Sequence, residues 1–279
     1  MDGTSHPQLK DHVVVYLDIL GLTDQIRESD EPQVLFENYY SAVGSALEKL
    51  QWGTEGDHPM WRHRTFSDNI VLAVPVTSAD AEYEVGTALS AIAEFQLSLA
   101  LAGWFSRGGA AVGKFYIDEH IVYGPAFLDA YKLENETARV PRVLLTQELA
   151  QQVKKYLKYY SDPAAAPQNE YILNDGDGQM FLNYLSAGWL DEAPDGSRET
   201  LASHRDLVVQ RLAEYREQPH IYSKYRWVAV YHNFFCEECA DVNSLAVPYT
   251  DLEPRPQRLA PSTKTRDPRD RWDETAGST

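Results

Sequence analysis

The chain has 279 residues, of which 43 % are hydrophobic, so it can bury a core and is not a wholly disordered protein. Asp and Glu number 42 against 25 Lys and Arg, and the formal charge of −17 excludes a general nucleic-acid binder because it repels phosphate backbones. The apolar runs are too short for a membrane helix, the N-terminus is unlike a signal peptide, and two cysteines exclude a disulfide scaffold. We therefore expect a cytoplasmic protein without membrane or nucleic-acid partners.

Strands and helices are predicted to alternate over the first half of the chain. His12–Leu20 is dense in Val, Ile and Leu, which predicts a buried strand, and the spacing of apolar residues predicts a helix over Pro32–Leu50. Strands over Trp61–Phe66 and Ile70–Val76 would form a hairpin with Asp68 at its tip. The other expected elements are a turn-rich break over Gly53–Pro59, helices over Ala79–Leu101, Gly124–Ala138 and Thr146–Leu157, and strands over Trp104–Gly113, Tyr116–Val122 and Val143–Leu145.

The order of these elements predicts an α+β fold, a ferredoxin-like domain over residues 1–158 with helices on one face of a mainly antiparallel sheet. Residues 159–251 are predicted to form an extension that packs back on this domain. It would contain an irregular strand pair over Glu170–Tyr184 and helices over Arg198–Arg216 and His220–Glu237. Residues 252–279 combine prolines with mixed charges, which predicts a disordered tail.

Two carboxylates are predicted to meet at one point of this domain. Asp18 lies near the end of the first strand and Asp68 at the hairpin tip, and in a ferredoxin-like sheet these two elements are neighbours. Converging carboxylates beside a Gly-containing turn suit Mg²⁺ or Mn²⁺ bound together with substrate phosphates. The Ile19 carbonyl would add a metal ligand, and the amides over Leu20–Thr23 would cradle phosphate oxygens. Alternatively, Asp18 caps a turn and Asp68 is an ordinary turn residue.

Four segments, in order, resemble motifs of the class III nucleotide cyclases. Tyr16–Thr23 (YLDILGLT) is similar to their F-x-D-I-x-G-F-T segment, and Thr65–Asp68 (TFSD) is similar to their T-I-G-D hairpin. Arg107–Gly113 resembles the R-x-G-I-x-x-G strand, and Gly124–Leu133 resembles, imperfectly, the G-x-x-V-N-x-A-x-R-L helix. The match covers Val13–Leu145. A closer resemblance, carried by LDILG, FSDN, SRGG and GPAFLDAYKLE, is to the pyrimidine cyclases of bacterial antiphage defence.

The resemblance implies an enzyme, a nucleotide cyclase of the phosphorus–oxygen lyase class. Asp18, Asp68 and the Ile19 carbonyl would hold two divalent cations, Mn²⁺ or Mg²⁺, and Gly21 and Leu22 would contact the substrate. The ribose 3′-oxygen would attack the α-phosphorus in line, and pyrophosphate would leave.

The resemblance also assigns the residues that read the base. The family's base-reading lysine falls on Arg64, and the position of its acidic partner falls on Ile121, so an acceptor for an exocyclic amine is missing. A guanidinium donates to carbonyl oxygens, which favours UTP over CTP and ATP. Tyr16 stands where the family usually has Phe and would narrow the base pocket to a pyrimidine. Alternatively, Arg64 is an edge charge facing water and Tyr16 is a core aromatic.

The helix predicted over Gly124–Ala138 departs from the family pattern. Leu128 stands at the position where the family has an asparagine that orients the ribose. Lys132 stands at the position of a family arginine, and it would act in catalysis as a point charge on a phosphate. Alternatively, Lys132 is a solvated helix lysine. Arg107 would brace the sheet or touch a phosphate. Class III cyclases build each site from two chains, so the resemblance implies a homodimer.

The activity expected from this resemblance is that of a uridylate cyclase, which makes cyclic UMP as an antiphage messenger for a separate effector. One alternative is a cytidylate or purine cyclase. A second alternative, of another class, is a catalytically degenerate domain that binds only a nucleotide or a partner.

Overall fold

The computed structural model describes residues 6–50, 61–190, 194–238, 243–248 and 256–260, and the predicted break over Gly53–Pro59 lies outside them. The elements of the first part of the chain are β1 (Lys10–Ile19), α1 (Leu22–Glu28), α2 (Pro32–Lys49), β2 (Arg62–Phe66), β3 (Asn69–Pro75), α3 (Glu82–Leu101), β4 (Ser106–Ile117), β5 (Val122–Tyr123), α4 (Pro125–Glu136), β6 (Val143–Leu145) and α5 (Gln147–Tyr156). The later elements are α6 (Pro167–Tyr171), β7 (Ile172–Asn174), β8 (Met180–Leu182), α7 (Leu185–Leu190), α8 (Pro194–Glu214), α9 (Pro219–Glu238) and β9 (Gln257–Arg258).

The fold is α+β, as predicted. The described strands form one nine-stranded, mostly antiparallel sheet in the order β2-β3-β1-β4-β6-β8-β7-β9, and β5 pairs with β4 beside this path. β1 lies between β3 and β4 and is antiparallel to both, whereas β6 runs parallel to β4. No helix in the described ranges combines the length and apolar character that crossing a bilayer requires.

The two faces of β1 bury different side chains because successive residues of a strand point to opposite sides. Val13, Val15 and Leu17 belong to the main core, to which α2 and α3 also contribute. Val14 and Tyr16 belong to a smaller cluster on the opposite face, which α4 covers, so the prediction that the helices lie on one face of the sheet was wrong. α4 packs there closely: a Cβ on Gly109 would lie 2.2 Å from the carbonyl oxygen of Ala130, so β4 needs a glycine at this contact.

One local prediction was wrong, and one helix was not predicted. Residues 104–122 were expected to form two strands joined at Gly113–Lys114, but β4 continues through this dipeptide to Ile117, in part because the Phe115 side chain is buried. The chain instead reverses after Asp118, whose Oδ1 accepts hydrogen bonds from the N–H groups of His120 (2.8 Å) and Ile121 (2.7 Å). In addition, α1 was not predicted; it follows Gly21, whose φ of 76° lies in the left-handed region.

The C-terminal extension continues the same sheet beyond residue 158. β7 and β8 form the predicted strand pair, with β8 beside β6, and α8 and α9 lie where two helices were predicted. Residues 252–279 were expected to form a disordered tail, but Gln257–Arg258 within them form β9, which pairs with β7. Arg258 reinforces this pairing by donating to the carbonyl of Asn169 (2.9 Å). Apart from residues 256–260, that segment lies outside the described residues.

A buried arginine joins the extension to the first part of the chain. Arg142, which precedes β6 and is 4 % exposed, forms ion pairs with Asp175 and Asp177 in the β7–β8 turn. Trp227 of α9 donates its indole N–H to Asp175 Oδ2 (2.8 Å), and the Arg142 guanidinium lies 5.8 Å from the centre of the Trp227 ring. The turn, α9 and the segment before β6 are therefore held by one charged cluster.

Replacing Arg142 with methionine should lower the free energy of unfolding by about 3–5 kcal/mol, because it leaves the buried Asp175 carboxylate without its cation. Denaturation in urea, followed by circular dichroism, measures this change. Arg216→Met is the matched control: Arg216 is exposed, so its replacement should change the free energy of unfolding by about 0.5 kcal/mol or less. Equal unfolding midpoints for the two variants would contradict the role of Arg142.

Candidate active site

The end of β1 is fixed to the β2–β3 turn, which brings Asp18 and Asp68 to the same place. Asp18 is paired with Asn69, and the N–H of Ile19 donates to the carbonyl oxygen of Asp68 (2.8 Å). Ser67, with φ of 57°, adopts the left-handed conformation that closes the turn, and its carbonyl accepts a hydrogen bond from the Tyr39 hydroxyl (2.9 Å). The backbone itself thus holds the two acidic residues together.

The Asp68 carboxylate is oriented by two neighbouring side chains. Its Oδ2 accepts a hydrogen bond from the Thr23 hydroxyl of α1, and its Oδ1 accepts one from Asn69 Nδ2 (2.8 Å). The Asn69 carbonyl oxygen in turn accepts a hydrogen bond from the Tyr16 hydroxyl. This chain of donors holds Asp68 as an oriented acceptor.

Asp18 is held by Arg107, its partner across β1 and β4. Arg107 Nε lies 2.8 Å from Asp18 Oδ2, Nη2 lies 3.0 Å from Glu134 Oε1, and Nη1 donates to the carbonyl of Ala138 (3.1 Å). Arg107 therefore braces β4 against α4, one of the two roles expected for it. Within the described residues, Asp18 Oδ1 accepts no hydrogen bond and remains available to a ligand.

The site concentrates negative charge in a partly desolvated space. Burial raises the pKa of Asp18 and the charge of Asp68 raises it further, whereas Arg107 lowers it. Burial likewise raises the pKa of Glu134, again opposed by Arg107. Because Asp68 acts on both of the other carboxyl groups, the three repel one another. A bound cation would relieve this repulsion.

The available ligands suit a metal that is bound together with its substrate. Within the described part of the chain, no group of three or more His, Cys, Asp or Glu side chains is arranged to hold a metal ion. Asp18, Asp68 and the Ile19 carbonyl would be the protein ligands, and Mg²⁺ commonly takes one or two carboxylates plus substrate phosphates. The donor set therefore consists of oxygen atoms, which are the ligands that hard divalent cations prefer.

The turn after β1 contributes fewer amides than the sequence suggested. The N–H of Leu20 is used by the sheet, where it donates to the carbonyl of Phe105 (2.8 Å). Gly21 is exposed, and the Leu22 side chain is buried beneath α1. The amides of Leu22 and Thr23 belong to the first turn of α1 and so have no acceptor within that helix.

Arg64 lies on the same face of the sheet as Asp18, but its guanidinium is directed elsewhere. It donates to the carbonyl of Asp118, in the β4–β5 turn, and to that of His63 (3.0 Å). It lines a groove of about 1180 Å³ that also includes Lys10, His12, Arg62, Tyr116 and Glu119. No hydrogen bond or ion pair in the described structure joins Arg64 to Asp18 or Asp68, so one chain does not bring them together.

Tyr16 is 6 % exposed, and its ring contacts those of Tyr131 (5.3 Å between centroids) and Phe127 (5.8 Å) of α4. Burial raises the pKa of its hydroxyl, which is therefore a neutral donor to Asn69. Tyr16 is thus a core aromatic residue, one of the two roles predicted for it. Its hydroxyl also donates to Asn69, which in turn donates to Asp68.

The exposed face of α4 carries Leu128, which is 61 % exposed, and Lys132. Lys132 forms no ion pair within the described ranges. Glu134, on the buried face with Ala126 and Ala130, is the α4 residue that reaches the site through Arg107. The sequence analysis did not identify Glu134 as a site residue. Ala126, Ala130 and Glu134 are nevertheless spaced four residues apart, which places the carboxylate on the same helix face as two small apolar residues.

Comparison with known proteins does not add a family to this description. No family model matches the chain, and no curated protein matches it. The function must therefore be inferred from the residues of the site.

Proposed function

We propose that the protein is a metal-dependent nucleotide cyclase that converts UTP into 3′,5′-cyclic UMP and pyrophosphate. The observation that carries this proposal is the pair Asp18 and Asp68, joined by the hydrogen bond from Ile19 N–H to the Asp68 carbonyl and coupled through their charges. Asp18 Oδ1 accepts no hydrogen bond within the described residues, and the negative charge of Asp68 acts on Asp18. Such a pair is suited to cations that carry a triphosphate.

The strand order supports a ferredoxin-like cyclase domain. β1, β2, β3 and β4 are arranged as β4-β1-β3-β2, with every neighbouring pair antiparallel. A βαββαβ chain with helices between β1 and β2 and between β3 and β4 produces this arrangement. The acidic pair lies at the end of the central strand, as the cyclase resemblance requires.

The chemistry is an intramolecular displacement at phosphorus. The ribose 3′-oxygen forms a bond to the α-phosphorus, the bond from that phosphorus to the oxygen bridging to the β-phosphate breaks, and the hydroxyl proton passes to solvent as pyrophosphate leaves. Bound Mg²⁺ or Mn²⁺ would make the hydroxyl more acidic and neutralise the phosphates. Asp18 and Asp68 would hold these cations, while Thr23 and Asn69 keep Asp68 in position.

A homodimer would unite the acidic pair with Arg64. Within one chain, Arg64 faces the β4–β5 turn and makes no contact with the acidic residues. Large apolar side chains are exposed at the hairpin, on the β4–β5 turn and on α4, namely Phe66, Ile121, Tyr123, Leu128 and Tyr131. A second copy that covers these side chains would place its own Arg64 groove near the acidic pair.

The groove around Arg64 favours uracil over cytosine or a purine. Arg64 supplies donors, which suit the O2 and O4 carbonyls of uracil. The nearby Asp118 carboxylate already accepts hydrogen bonds from Tyr116 Oη, His120 N and Ile121 N, so most of its acceptor capacity serves the β4–β5 turn rather than an exocyclic amine. These three hydrogen bonds, the one from Tyr116 being the largest cause, lower the pKa of Asp118 to about 2. Ile121 offers no acceptor.

A degenerate nucleotide-binding domain is the second candidate. It is favoured by the ion pair between Asp18 and Arg107, which occupies one metal-binding oxygen, and by the exposure of Lys132 on α4.

The resemblance to antiphage cyclases adds the proposal that cyclic UMP is a messenger for a separate effector.

Pyrophosphate release from UTP, CTP, ATP and GTP, each with Mn²⁺, separates these possibilities. We expect release with UTP at a rate well above the other three nucleotides, and cyclic UMP as the product identified by mass spectrometry. Faster release with CTP or a purine nucleotide would overturn the base assignment alone. Purified dimer that releases pyrophosphate from none of them would leave only the degenerate domain.

A further inference from the structure

The C-terminal extension delivers a lysine to the candidate active site. Tyr225 of α9 packs edge-on against Phe105 (5.4 Å between ring centroids), the residue just before β4. The Phe105 carbonyl accepts the N–H of Leu20, just after β1. α9 therefore contacts the residue that precedes β4, two positions before Arg107, which is paired with Asp18, and Lys224 is the neighbour of Tyr225 in this helix.

The position of Lys224 in α9 is set by two side chains that follow it. Tyr225 is buried, and Trp227 is tied to the buried Asp175 by its indole hydrogen bond. Lys224 itself is half-buried and lies in the electrostatic field of Asp18, Asp24 and Arg107. Within the described residues it forms neither an ion pair nor a hydrogen bond. Its ammonium group is thus a positive charge that interacts with Asp18 and is not paired with any group in the part of the chain that the structure describes.

We propose that Lys224 binds the triphosphate of the nucleotide held at Asp18 and Asp68, an inference that rests on the proposed function. Arg107 already has contacts to Asp18, Glu134 and the Ala138 carbonyl, one on each of its three nitrogens, so two carboxylates already balance its charge. Lys132 lies on the exposed face of α4. A lysine ammonium on a flexible stem is an effective point charge for phosphate. The extension would then complete the phosphate site in the same chain that supplies the acidic residues.

The electrostatics of Lys224 agree with a cation that awaits an anion. Burial lowers its pKa, the positive charge of Arg107 lowers it further, and Asp18 and Asp24 only partly compensate. A triphosphate placed beside Lys224 would favour the charged ammonium and replace the solvation that burial removes. A lysine that served only to balance Asp18 and Asp24 would stabilise the unliganded protein and would not discriminate between phosphorylated and unphosphorylated ligands.

Binding of inorganic tripolyphosphate with Mg²⁺ to the full chain, measured by calorimetry, tests this directly without a base or turnover. We expect Lys224→Met to weaken binding by about ten- to a hundredfold, since a hydrogen bond between charged groups contributes about 1.5–3 kcal/mol. Lys224→Arg should retain most of the affinity. Lys154→Met, at an exposed lysine of α5, is the control and should bind like the wild type. The unfolding midpoint of unliganded Lys224→Met should not fall.

The outcomes separate this inference from the cyclase proposal. Equal tripolyphosphate affinity in Lys224→Met and the wild type would overturn the role of Lys224, even if UTP is cyclised. Weakened affinity in that variant, together with no pyrophosphate release from any nucleotide by the wild type, would leave the phosphate site standing and overturn the cyclase. The inference would also be overturned if the wild-type chain did not bind tripolyphosphate. It would likewise be overturned if Lys224→Met had a lower unfolding midpoint without ligand but the same tripolyphosphate affinity as the wild type.

Discussion

Replacement of Asp68 with asparagine is expected to reduce pyrophosphate release from UTP by at least about a thousandfold, because metal-assisted stabilisation of the transition state is worth several kcal/mol and each 1.36 kcal/mol is a tenfold change in rate. An amide has the shape of the carboxylate but lacks the charge that binds a divalent cation. Thr23 and Asn69 surround this side chain, so the substitution tests charge with little change in packing. Steady-state assays with Mn²⁺ measure the loss.

Asp18→Asn should have an effect of the same size, because both carboxylates are needed to hold the cations. Arg107 would keep its contact with Glu134, so the variant should remain folded. Asp30→Asn is the control, because Asp30 is an exposed carboxylate that lies outside the site. If Asp68→Asn and Asp18→Asn remain folded and keep more than about a tenth of the wild-type rate, the metal assignment is wrong.

Local patterns predicted most of the elements that frame the site. The apolar run of β1 and the helical spacing of α2 and α3 are properties of short segments, and each appears where it was predicted. The break predicted at Gly113 failed because a glycine can also lie inside a strand, and the buried Phe115 keeps β4 extended beyond it. The reversal depends instead on side-chain hydrogen bonds of Asp118, which no pattern of hydrophobicity reports.

The sequence predicted only those site residues whose positions follow from the order of the strands and turns along the chain. Asp18 and Asp68 follow from the positions of a strand end and a hairpin tip. The bridge from Asp18 through Arg107 to Glu134 depends on the register of β1 against β4 and on the packing of α4, which are tertiary properties. Lys224 lies on a helix far along the chain that packs against Phe105 through Tyr225, and it interacts electrostatically with Asp18. No local pattern in the sequence reports this long-range relation.

The direction of the Arg64 side chain bears on how the site is assembled. If one chain contained a whole site, Arg64 would have to leave the Asp118 carbonyl and turn toward Asp18 before it could contact a bound base. If two chains share each site, Arg64 can stay in its groove and act on a nucleotide held by the partner. The second arrangement keeps the Arg64 hydrogen bond to the Asp118 carbonyl, and it makes a prediction that the first does not.

Mixing inactive chains should restore activity when their lesions fall in different halves of the shared site. A one-to-one mixture of Asp68→Asn and Arg64→Met chains should regain roughly a quarter of the wild-type rate, because half of the dimers are mixed and each contains one site with both halves intact. The measurement is pyrophosphate release from UTP after subunit exchange, verified with two differently labelled chains.

A mixture of Asp18→Asn and Asp68→Asn chains is the matched control. Both lesions lie in the acidic half, so every site in a mixed dimer retains one of them and the mixture should stay inactive. Recovery in this control would mean that the acidic residues act from different chains. If the mixture of Asp68→Asn and Arg64→Met chains stays inactive despite verified exchange, Arg64 does not complete a site held by the partner chain. If the Arg64→Met chain alone is fully active, Arg64 has no role in base recognition.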